Sequence, residues 1–419
     1  MKGVILAAGV GKRLRPLTET KPKVLMPVLG RRLIEYPLEF LRNLGIDEVV
    51  VVVGYMAEEV SRVVSHIADS LGLQVLFAKQ ERELGTGHAV KTALKYVGGE
   101  DAVIVYGDLF LDPSPSKKLA KVVELSGGRE VVLGVVEVED VSRYARVVVE
   151  SGYVKELVEK PAERGPGLAN AGVYYVPGKY LELVEELELS PRGEYEFTDV
   201  IVNVIKRGDA VRVFNLGADE WMDVGMPWLV IEVNKLVLAK WGKRSIRGEV
   251  EGTATVKGPV IVEEGARIRG GSYIEGPAYI GEDADIGPNS YIRPFSVIGH
   301  GCRIGFSVEV KESVVFEETH AAHLTYIGDS VVGEHVNLGA GTIFANLRFD
   351  GRNVKVSIEG KRVDSGRRKL GAIVGGYAKT GVNVSIMPGV KIGSYAIIYP
   401  GVRVFRDVPS RTTVKHDWL

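Results

Sequence analysis

The chain has 419 residues, 45% of them apolar, with a formal net charge of −1 and one cysteine, Cys302. These values predict two domains of ordinary size and exclude a whole-molecule attraction to nucleic acid or anionic membranes, an internal disulfide and a cysteine-based zinc cluster. Because no run of about 18 apolar residues and no signal-peptide pattern occurs, we expect a cytoplasmic protein without nucleic-acid or membrane partners.

The first predicted element is a buried parallel strand at residues 4–8, followed by the glycine-rich run GVGKR at residues 9–13. Glycine lets backbone N–H groups approach phosphoryl oxygens closely, so the strand leads into a candidate phosphate-binding loop. Arg13 and Lys23 then supply fixed cations for a polyanion. The spacing matches neither the dinucleotide pattern GxGxxG nor the P-loop pattern GxxxxGKS/T.

Strands and helices alternate over the next hundred or so residues. The apolar pattern predicts helices at 33–44, 57–71 and 87–96, and strands at 49–53, 74–78 and 102–106. This alternation predicts an α/β, Rossmann-like domain with a doubly wound, mostly parallel sheet that binds ligands beyond the carboxyl ends of its strands. Asp108 and Asp223 each follow a strand-like run, and carboxylates without nearby histidine or cysteine favour Mg2+.

Between residues 130 and 225 the pattern loosens into short strands and turns, which predicts the substrate-binding half of the same domain. Residues 227–241 have a helical period and form the predicted connector. The predicted organisation is a first domain over 1–227, a linker helix over 228–245 and a second domain over 246–419.

From residue 250 onward, apolar residues recur every six positions, and the residues two positions earlier are mostly small. This pattern predicts a left-handed parallel β-helix, in which one apolar side chain per face fills a narrow prism. The first uninterrupted register comprises Val250, Val256, Val262, Ile268, Ile274, Ile280, Ile286, Ile292, Ile298, Ile304, Val310 and Phe316.

The register slips near 319–327, resumes at Val332, and returns at Val374 after a second interruption. Interruptions of a solenoid usually become loops on its binding surface. The first contains His323, and a histidine suits a general base because it titrates near neutral pH. The second, 347–372, holds eight Lys or Arg against three acids, so it forms either a basic phosphate-binding loop or a solvated surface hairpin.

The segment from Leu6 to Lys23 resembles the signature LAAGxGxRLxPLTxxxPK of sugar-1-phosphate nucleotidylyltransferases and matches it at every specified position. The resemblance implies attack of a sugar-phosphate oxygen on the α-phosphorus of a nucleoside triphosphate, with Mg2+ and fixed cations offsetting the charge. It implies that Arg13 and Lys23 are catalytic, that Leu6, Ala7, Gly9, Gly11, Gln80, Gly85 and Thr86 bind nucleotide, that Tyr106, Glu159, Lys160 and Asn170 bind sugar, and that Asp108 and Asp223 bind metal.

The resemblance also bears on specificity. The segment that begins at Gln80 favours a pyrimidine, uracil or thymine, over guanine. The chain departs from the family at Ala145, where a glycine commonly follows the tyrosine, so the identity of the sugar stays open.

The sequences HLTYIGD at 323–329 and VNLGAGT at 336–342 are similar to the acetyltransferase half of the bifunctional enzymes that make UDP-N-acetylglucosamine. The resemblance implies a homotrimer with active sites between subunits and acetyl-CoA as co-substrate. It implies His323 as the base, Tyr326 and Asn337 on the amino sugar, Asn346 by the acyl group, Arg293 and Lys311 on the sugar phosphate, and Ala340 and Gly376 along the coenzyme A channel. His320 has no counterpart, and the family's bacterial members are shorter over 347–372.

Three interpretations follow. In the leading one, the β-helix acetylates glucosamine 1-phosphate or galactosamine 1-phosphate, and the N-terminal domain couples the product to UTP or dTTP. The alternative is a single-activity nucleotidylyltransferase, of the dTDP-glucose or GDP-mannose type, whose β-helix serves only assembly or regulation. The third is a non-catalytic subunit of a regulatory or guanine-nucleotide exchange complex. The set His323, Tyr326 and Asn346 argues against the second, and the intact N-terminal signature argues against the third.

Overall fold

The computed structural model describes residues 1–418. The chain forms two compact units: Met1–Val10 with Arg32–Asp223, and Gly11–Arg31 with the chain from Val224 onward. The limits predicted for the domains, at residues 227 and 245, stay a prediction. None of the helices in the described part of the chain is long and apolar enough to cross a membrane.

The elements up to the connector are thirteen strands and seven helices. The strands are β1 (Lys2–Ala7), β2 (Pro27–Val28), β3 (Arg31–Arg32), β4 (Glu48–Val53), β5 (Gln74–Lys79), β6 (Ala102–Tyr106), β7 (Leu109–Leu111), β8 (Val131–Val138), β9 (Ala145–Glu150), β10 (Tyr153–Glu159), β11 (Gly167–Val176), β12 (Val211–Leu216) and β13 (Trp221–Asp223). The helices are α1 (Glu35–Asn43), α2 (Ala57–Leu71), α3 (Thr86–Val97), α4 (Ser116–Leu125), α5 (Gly178–Leu181), α6 (Phe197–Lys206) and α7 (Leu229–Trp241).

The first unit is built on a nine-stranded sheet with the order β5-β4-β1-β6-β11-β8-β12-β10-β9. The strands β5, β4, β1 and β6 are mutually parallel, which confirms the predicted doubly wound half. Beyond β6 the sheet is mixed, because β11 is antiparallel to both β6 and β8. The prediction of short strands in this half was wrong for β8 and β11, which have eight and ten residues.

The second unit contains the β-helix. Its strands are β14 (Ser245–Ile246), β15 (Glu249–Val250), β16 (Thr255–Lys257), β17 (Val260–Val262), β18 (Arg267–Ile268), β19 (Tyr273–Glu275), β20 (Ala278–Ile280), β21 (Asp285–Ile286), β22 (Tyr291–Ile292), β23 (Ser296–Ile298), β24 (Arg303–Phe306), β25 (Glu309–Lys311), β26 (Val314–Val315), β27 (His320–His323), β28 (Tyr326–Gly328), β29 (Val331–Val332), β30 (Asn337–Leu338), β31 (Ile343–Phe344), β32 (Lys355–Ile358), β33 (Lys361–Asp364), β34 (Ile373–Val374), β35 (Lys379–Thr380), β36 (Ser385–Ile386), β37 (Lys391–Ile392), β38 (Ile397–Ile398), β39 (Arg403–Val404) and β40 (Thr413–Val414).

These strands form three sheets of eight, nine and eight strands, and successive strands step from one sheet to the next. Every pairing within the three sheets is parallel, which confirms the β-helix. The predicted apolar residues stack in its core, where Val262, Ile280 and Ile298 are fully buried. Cys302 is buried in the same core, and burial raises the pKa of its thiol to about 12.

The predicted register was wrong by one residue near its end. Ile298 pairs with Val315, and Val315 pairs with Val332, so Val315 takes the stacked position that the repeat assigned to Phe316. The cause is a tighter corner after β25, where the Ser313 hydroxyl donates to the Lys311 carbonyl oxygen at 2.7 Å. The register therefore changes at the corners after β25 and β28, rather than near 319–327.

The second interruption folds as an antiparallel hairpin of β32 and β33. The β-helix continues without a break on either side of it, because β29 pairs with β34 and β31 pairs with β36. The hairpin is thus an insertion at one corner of the solenoid, and the core does not depend on it for continuity.

Candidate active sites

In the first unit, the predicted nucleotide-binding residues begin at the carboxyl end of β1. Leu6 pairs with Tyr106 of β6, and Gly107 donates its N–H to the Leu6 carbonyl oxygen at 2.9 Å. A Cβ on Gly107 would lie 3.0 Å from that oxygen, so the close approach requires glycine. At Val10, the backbone N–H donates to Glu83 Oε1 at 2.7 Å, which ties the start of the glycine loop to the Gln80 segment.

The two predicted metal ligands are brought together by one strand pairing. β7 and β13 are antiparallel, and Asp223 lies opposite Leu109, the residue after Asp108. Mg2+ is commonly held by one or two carboxylates together with water and substrate phosphates, so this donor set fits the ion. Within residues 1–418, no group of three or more His, Cys, Asp or Glu side chains forms a complete protein cage for a metal.

Gln80 is held in one orientation by two neighbours. Its amide nitrogen donates to the Gly85 carbonyl oxygen at 3.2 Å and lies 2.9 Å from His88 Nδ1. Because a carbonyl oxygen only accepts, the amide nitrogen must point this way, and His88 Nδ1 then acts as the acceptor. Burial lowers the pKa of His88, assisted by the charge of Lys91, which favours the neutral ring that this contact needs. The side-chain oxygen of Gln80, predicted to contact the base, then points away from these two partners.

Predicted nucleotide and sugar residues meet in a buried hydroxyl network. The hydroxyl groups of Tyr106 and Tyr174 lie 3.1 Å apart, and Asn170 Nδ2 donates to the Tyr174 oxygen at 2.6 Å. Thr86 accepts a hydrogen bond from the Phe197 N–H at 2.9 Å. Burial raises the pKa of Tyr106, and Thr86 and Tyr174 hydrogen-bond to it. Sequence reasoning identified Thr86, Tyr106 and Asn170 but missed Tyr174, which connects two of them.

Glu159 lines a cavity of about 760 Å3 together with Lys160, Arg192, Glu196 and Asp199. Arg192 lies 3.3 Å from Glu159 Oε1, and the Thr198 hydroxyl donates to Oε2 at 3.4 Å. Burial raises the pKa of Glu159, and the positive charge of Arg192 partly offsets this. Arg192 was missed because a single arginine on a loop has no spacing pattern that would single it out.

The departure at Ala145 lies next to this cavity. Ala145 is buried and pairs with Glu159 across β9 and β10. The preceding residue, Tyr144, packs edge-on against Trp221 with ring centroids 5.7 Å apart. The methyl group that Ala145 has in place of the hydrogen of a glycine therefore lies on the strand residue paired with Glu159, the predicted sugar-binding carboxylate.

The segment Gly11–Arg31, which carries Arg13 and Lys23, belongs to the second unit. Gly11 has φ +67°, and a Cβ there would lie 3.1 Å from Thr18 Cγ2 and 3.2 Å from Lys23 Cβ. Thr18 also donates its hydroxyl to the Gly11 carbonyl oxygen at 2.9 Å. Lys23 is buried and Arg13 is exposed. The glycine turn, Thr18 and Lys23 therefore form one packed group.

One corner of the β-helix, which we call the Lys311 corner, begins where β22, β25, β28 and β31 end. Lys311 is the last residue of β25, and the residues just beyond the other three strands are Arg293, Asp329 and Asn346. Lys311 Nζ lies 2.8 Å from Asp329 Oδ2, and Asn346 Nδ2 donates both to Asp329 and to the Tyr326 hydroxyl, the latter at 3.0 Å. Asp329 is buried, with 1% of its surface exposed. Asp329 ends the motif HLTYIGD, which by itself does not mark this aspartate as a site residue, but its contacts with Lys311 and Asn346 make it the centre of this corner.

The inserted hairpin is anchored at the same corner by Arg367. This guanidinium pairs with Glu312 at 2.7 Å, with Asp329 at 3.3 Å and with Glu232 of α7. Burial alone raises the pKa of Glu312, but Lys235 and Arg367 outweigh it and the net shift is downward. Arg367, one of the eight basic residues, therefore has a structural ion-pairing role in addition to its contribution to the positive charge of the loop.

His323 lies at a different corner. It pairs with Phe306 of the preceding coil, and the Gly341 N–H of the next coil donates to its carbonyl oxygen at 3.3 Å, which brings Ala340 beside it. Its side chain is exposed. The strand β28 separates this corner from the Lys311 corner by roughly 10 Å, since a strand rises about 3.3 Å per residue. Asn337 lies on β30, paired with His320 and Lys379.

Gly376 lies at the third corner, after β34. It is buried, and a Cβ there would lie 2.5 Å from Glu334 Oε1 and 2.6 Å from Thr20 Oγ1. One chain thus brings together Arg293, Lys311, Tyr326 and Asn346, brings Ala340 beside His323, and places Gly376 apart from both groups.

Comparison with known proteins gives the same two halves. Residues 2–240 match the family model described as Nucleotidyl transferase, and residues 274–364 match that of the GMPPB C-terminal domain. A crystal structure from Bacillus anthracis, described as a glucose-1-phosphate thymidylyltransferase with sucrose bound, superposes with a TM-score of 0.51 at 27% identity. The superposition covers 56% of this chain and 94% of that one.

Full-length relatives carry both halves. The chain is 43% identical to the bifunctional sugar-1-phosphate nucleotidylyltransferase/acetyltransferase of Sulfurisphaera tokodaii, over 97% of this chain and 98% of the relative. It is 40% identical to the bifunctional protein GlmU of Methanocaldococcus jannaschii, over 100% of this chain and 98% of the relative. The chain therefore belongs to the nucleotidyl transferase family and, within it, to the bifunctional sugar-1-phosphate nucleotidylyltransferases/acetyltransferases.

Proposed function

We propose that the β-helix transfers an acetyl group from acetyl-CoA to the amine of glucosamine 1-phosphate or galactosamine 1-phosphate. The N-terminal half then joins the N-acetylhexosamine 1-phosphate to the uridylyl or thymidylyl group of UTP or dTTP and releases pyrophosphate. The observation that carries this proposal is the set at the Lys311 corner, because a β-helix used only for assembly has no need of a partly buried Lys, Asn and Tyr linked by hydrogen bonds around a buried Asp.

In nucleotidyl transfer, an oxygen of the sugar phosphate forms a bond to the α-phosphorus, and the bond between the α-phosphorus and the bridging oxygen breaks. Both reactants are anions, so the chain must align them and offset their charge. Arg13 and Lys23 provide cations to the phosphates, Gln80 accepts from the base, and Glu159 and Asn170 bind sugar hydroxyls. Lys160 lines the same cavity as Glu159 and contacts the sugar phosphate.

Asp108 and Asp223 would hold Mg2+, and the ion, when bound, neutralises charge on the phosphates. The remaining predicted nucleotide residues, Leu6, Ala7, Gly9, Gly11, Gly85 and Thr86, supply backbone and side-chain contacts to the triphosphate. Oxygen ligands without histidine or cysteine make Mg2+ the ion of choice.

In acetyl transfer, the amine nitrogen forms a bond to the thioester carbonyl carbon, the C–S bond breaks, and coenzyme A leaves as the thiol. His323 takes the proton that the amine loses and gives it to the departing sulfur, so that coenzyme A leaves as the thiol. Both N–H groups of Asn346 are already donated, so its side-chain oxygen accepts from the substrate nitrogen. Arg293 and Lys311 bind the sugar phosphate. Tyr326 and Asn337 contact the sugar, and Ala340 and Gly376 line the path of coenzyme A.

We further propose that the acetyltransferase is completed in a homotrimer. The exposed side chain of His323 lies at a different corner from Lys311 and Asn346, so one chain separates the base from the phosphate-binding group. A neighbouring copy that presents its His323 corner to the Lys311 corner would unite them. Cytoplasmic location stays a prediction.

The test is thiol release from acetyl-CoA with glucosamine 1-phosphate as acceptor. We expect turnover in the native protein and its loss in His323→Ala, while pyrophosphate release from UTP and N-acetylglucosamine 1-phosphate continues. His320→Ala is the matched control, because it changes an exposed histidine on the same strand and should leave both reactions intact. Absence of turnover with every amino-sugar phosphate would exclude the bifunctional proposal.

The match of residues 274–364 to the GMPPB C-terminal domain keeps the single-activity alternative as a second candidate. A panel of UTP, dTTP, GTP and ATP tests the GDP-mannose type, because that enzyme would require GTP. The thiol-release assay tests the dTDP-glucose type, because a single-activity enzyme would not consume acetyl-CoA. The orientation of Gln80 leaves an acceptor oxygen that suits the N3–H of uracil or thymine and also the N1–H of guanine, so the triphosphate panel, and not this contact, decides between them.

A further inference from the structure

The second half of the signature segment is held by the β-helix. Ser394, after β37, donates its N–H to Glu19 Oε2 at 3.1 Å and its hydroxyl to the Pro16 carbonyl oxygen at 3.1 Å. One coil later, the Ser410 hydroxyl donates to the same carboxylate oxygen of Glu19. Two serines in successive coils therefore hold both ends of one short turn of the segment.

A second group of contacts holds the next residues. Lys21 Nζ lies 2.7 Å from Glu317 Oε1, and the lysine is buried, with 7% of its surface exposed. Gly375 approaches the segment so closely that a Cβ there would lie 2.9 Å from Pro16 Cβ. The β-helix surface formed by Glu317, Gly375, Ser394 and Ser410 is thus fitted to the segment from Pro16 to Lys21; we call it the serine clamp.

The held turn is connected to the glycine loop by short contacts. Glu19 donates its N–H to the Pro16 carbonyl oxygen at 3.1 Å, which closes the turn. Thr18, inside that turn, donates to Gly11, and Gly11 packs against Lys23. Fixing the turn therefore fixes the positions of Gly11 and Lys23 as well.

We propose that the serine clamp is a positioning device for nucleotidyl transfer: Ser394 and Ser410 of the β-helix hold the loop that carries Arg13 and Lys23 in its productive geometry. The proposal rests on the role proposed above for these two cations. The C-terminal half of the chain thereby contributes to the reaction of the N-terminal half, in addition to its own acetyltransferase site.

The physical reason is that charge stabilisation depends steeply on placement. A displacement of about 1 Å in a positioned catalytic group costs on the order of 100-fold in rate. Cations that act mainly on the charge of the transition state affect kcat more than KM. A loosened clamp should therefore lower kcat for nucleotidyl transfer by a larger factor than it raises KM for UTP.

The test uses the full chain with Ser394→Ala and Ser410→Ala combined. We expect kcat for pyrophosphate release to fall by roughly 10- to 100-fold, with acetyl transfer within about twofold of native. The single variant Ser410→Thr keeps a hydroxyl at this position, so its kcat for pyrophosphate release should stay close to the native value. Amide hydrogen exchange over residues 16–21 should be faster in the double variant.

The matched control is Ser290→Ala. Ser290 is also a buried β-helix serine whose hydroxyl donates to backbone oxygens, but its partners are Ile304 and Gly305. Ser290→Ala should change neither the kcat for pyrophosphate release nor the kcat for acetyl transfer. The proposal is overturned if the double variant keeps native kcat, or if both activities fall by the same factor. Failure of native protein to release pyrophosphate would instead reject the proposed function.

Discussion

The two sites assemble their residues in different ways. In the first unit, Asp108 and Asp223 are far apart in sequence and meet through the pairing of β7 with β13. At the Lys311 corner, Lys311 and Asp329 come from adjacent coils, because the solenoid repeats its path every 17 or 18 residues. The sheet site depends on the topology of a whole unit, whereas the corner site depends on the local shape of each turn.

The carboxylates of the two sites also differ in electrostatic balance. In the cavity of the first unit, burial raises the pKa of Glu159 despite Arg192. At the Lys311 corner, Lys235 and Arg367 lower the pKa of Glu312 despite its burial. In the first arrangement the charge of a carboxylate beside a cavity is only partly offset, and in the second the cations outweigh burial and fix the chain.

The largest effect is expected at the sheet site. Asp223→Asn removes one of two charges that would hold Mg2+, so nucleotidyl transfer should fall by about 1,000-fold. Acetyl transfer by the same protein should stay at the native rate, since its residues lie on the β-helix. Pyrophosphate release at several Mg2+ concentrations measures the change. Asp209→Asn, at an exposed position, is the control, and an equal loss there would contradict the assignment.

The second-largest effect is expected at the Lys311 corner. Arg367→Ala leaves Glu312 and Asp329 short of a buried cation, so the β-helix should lose about 3 kcal/mol of stability. Its melting temperature should fall by roughly 5–10 °C, and acetyl transfer should weaken because Asp329 holds Lys311 and Asn346. The neighbouring Arg368→Ala, at an exposed position, should change neither quantity. Native melting in Arg367→Ala would show that the hairpin is not anchored there.

The third effect is a pH dependence of KM for the sugar phosphate, which we expect from Glu159 in the cavity of the first unit. Because the pKa of Glu159 is raised, this group gains a proton at a higher pH than an ordinary glutamate as the solution is acidified. KM for the sugar phosphate should therefore rise on the acidic side. Arg192→Ala removes a charge that lowers the pKa, so the rise should begin at higher pH. Glu159→Gln should raise KM by about tenfold and abolish this dependence, whereas the exposed Glu163→Gln should leave the profile native.

The smallest effect is on base selection. His88→Ala removes the acceptor that helps to fix the Gln80 amide, so the amide can turn its N–H groups toward the base. Uracil presents an N–H at its N3 position and cytosine presents an acceptor there, so the preference for UTP over CTP should fall by about fivefold. Competition between the two triphosphates measures it. An unchanged ratio would mean that Gly85 alone orients Gln80.

Most elements of both halves could be predicted, because their signals are local and periodic. The helix predicted over 57–71 and the strand predicted over 102–106 match α2 and β6 residue for residue. The six-residue period predicted the β-helix, because only one side chain per face fits inside its prism. The mixed order of strands beyond β6 has no such signal, since pairing partners depend on how the whole sheet packs.

The site residues were predictable only where a motif marks them. Gln80, Asp108 and Asn346 stand in recognisable contexts, but Arg192 and Arg367 are single arginines in loops, and their role depends on where a distant carboxylate comes to lie. The position of Val315 was missed for a similar reason: a corner that is shorter by one residue becomes visible only when the strands on both sides are paired.

The insertion at the Lys311 corner has a consequence for how such chains can change over time. Since β29 pairs directly with β34 and β31 with β36, the inserted chain leaves and re-enters the solenoid at this corner while the stacked strands stay in register. The corner is therefore a place where new sequence is tolerated beside an existing site. Because Arg367 of the inserted segment pairs with Glu312 and Asp329, a segment exchanged at this corner to engineer acyl-transfer specificity must keep an equivalent cation.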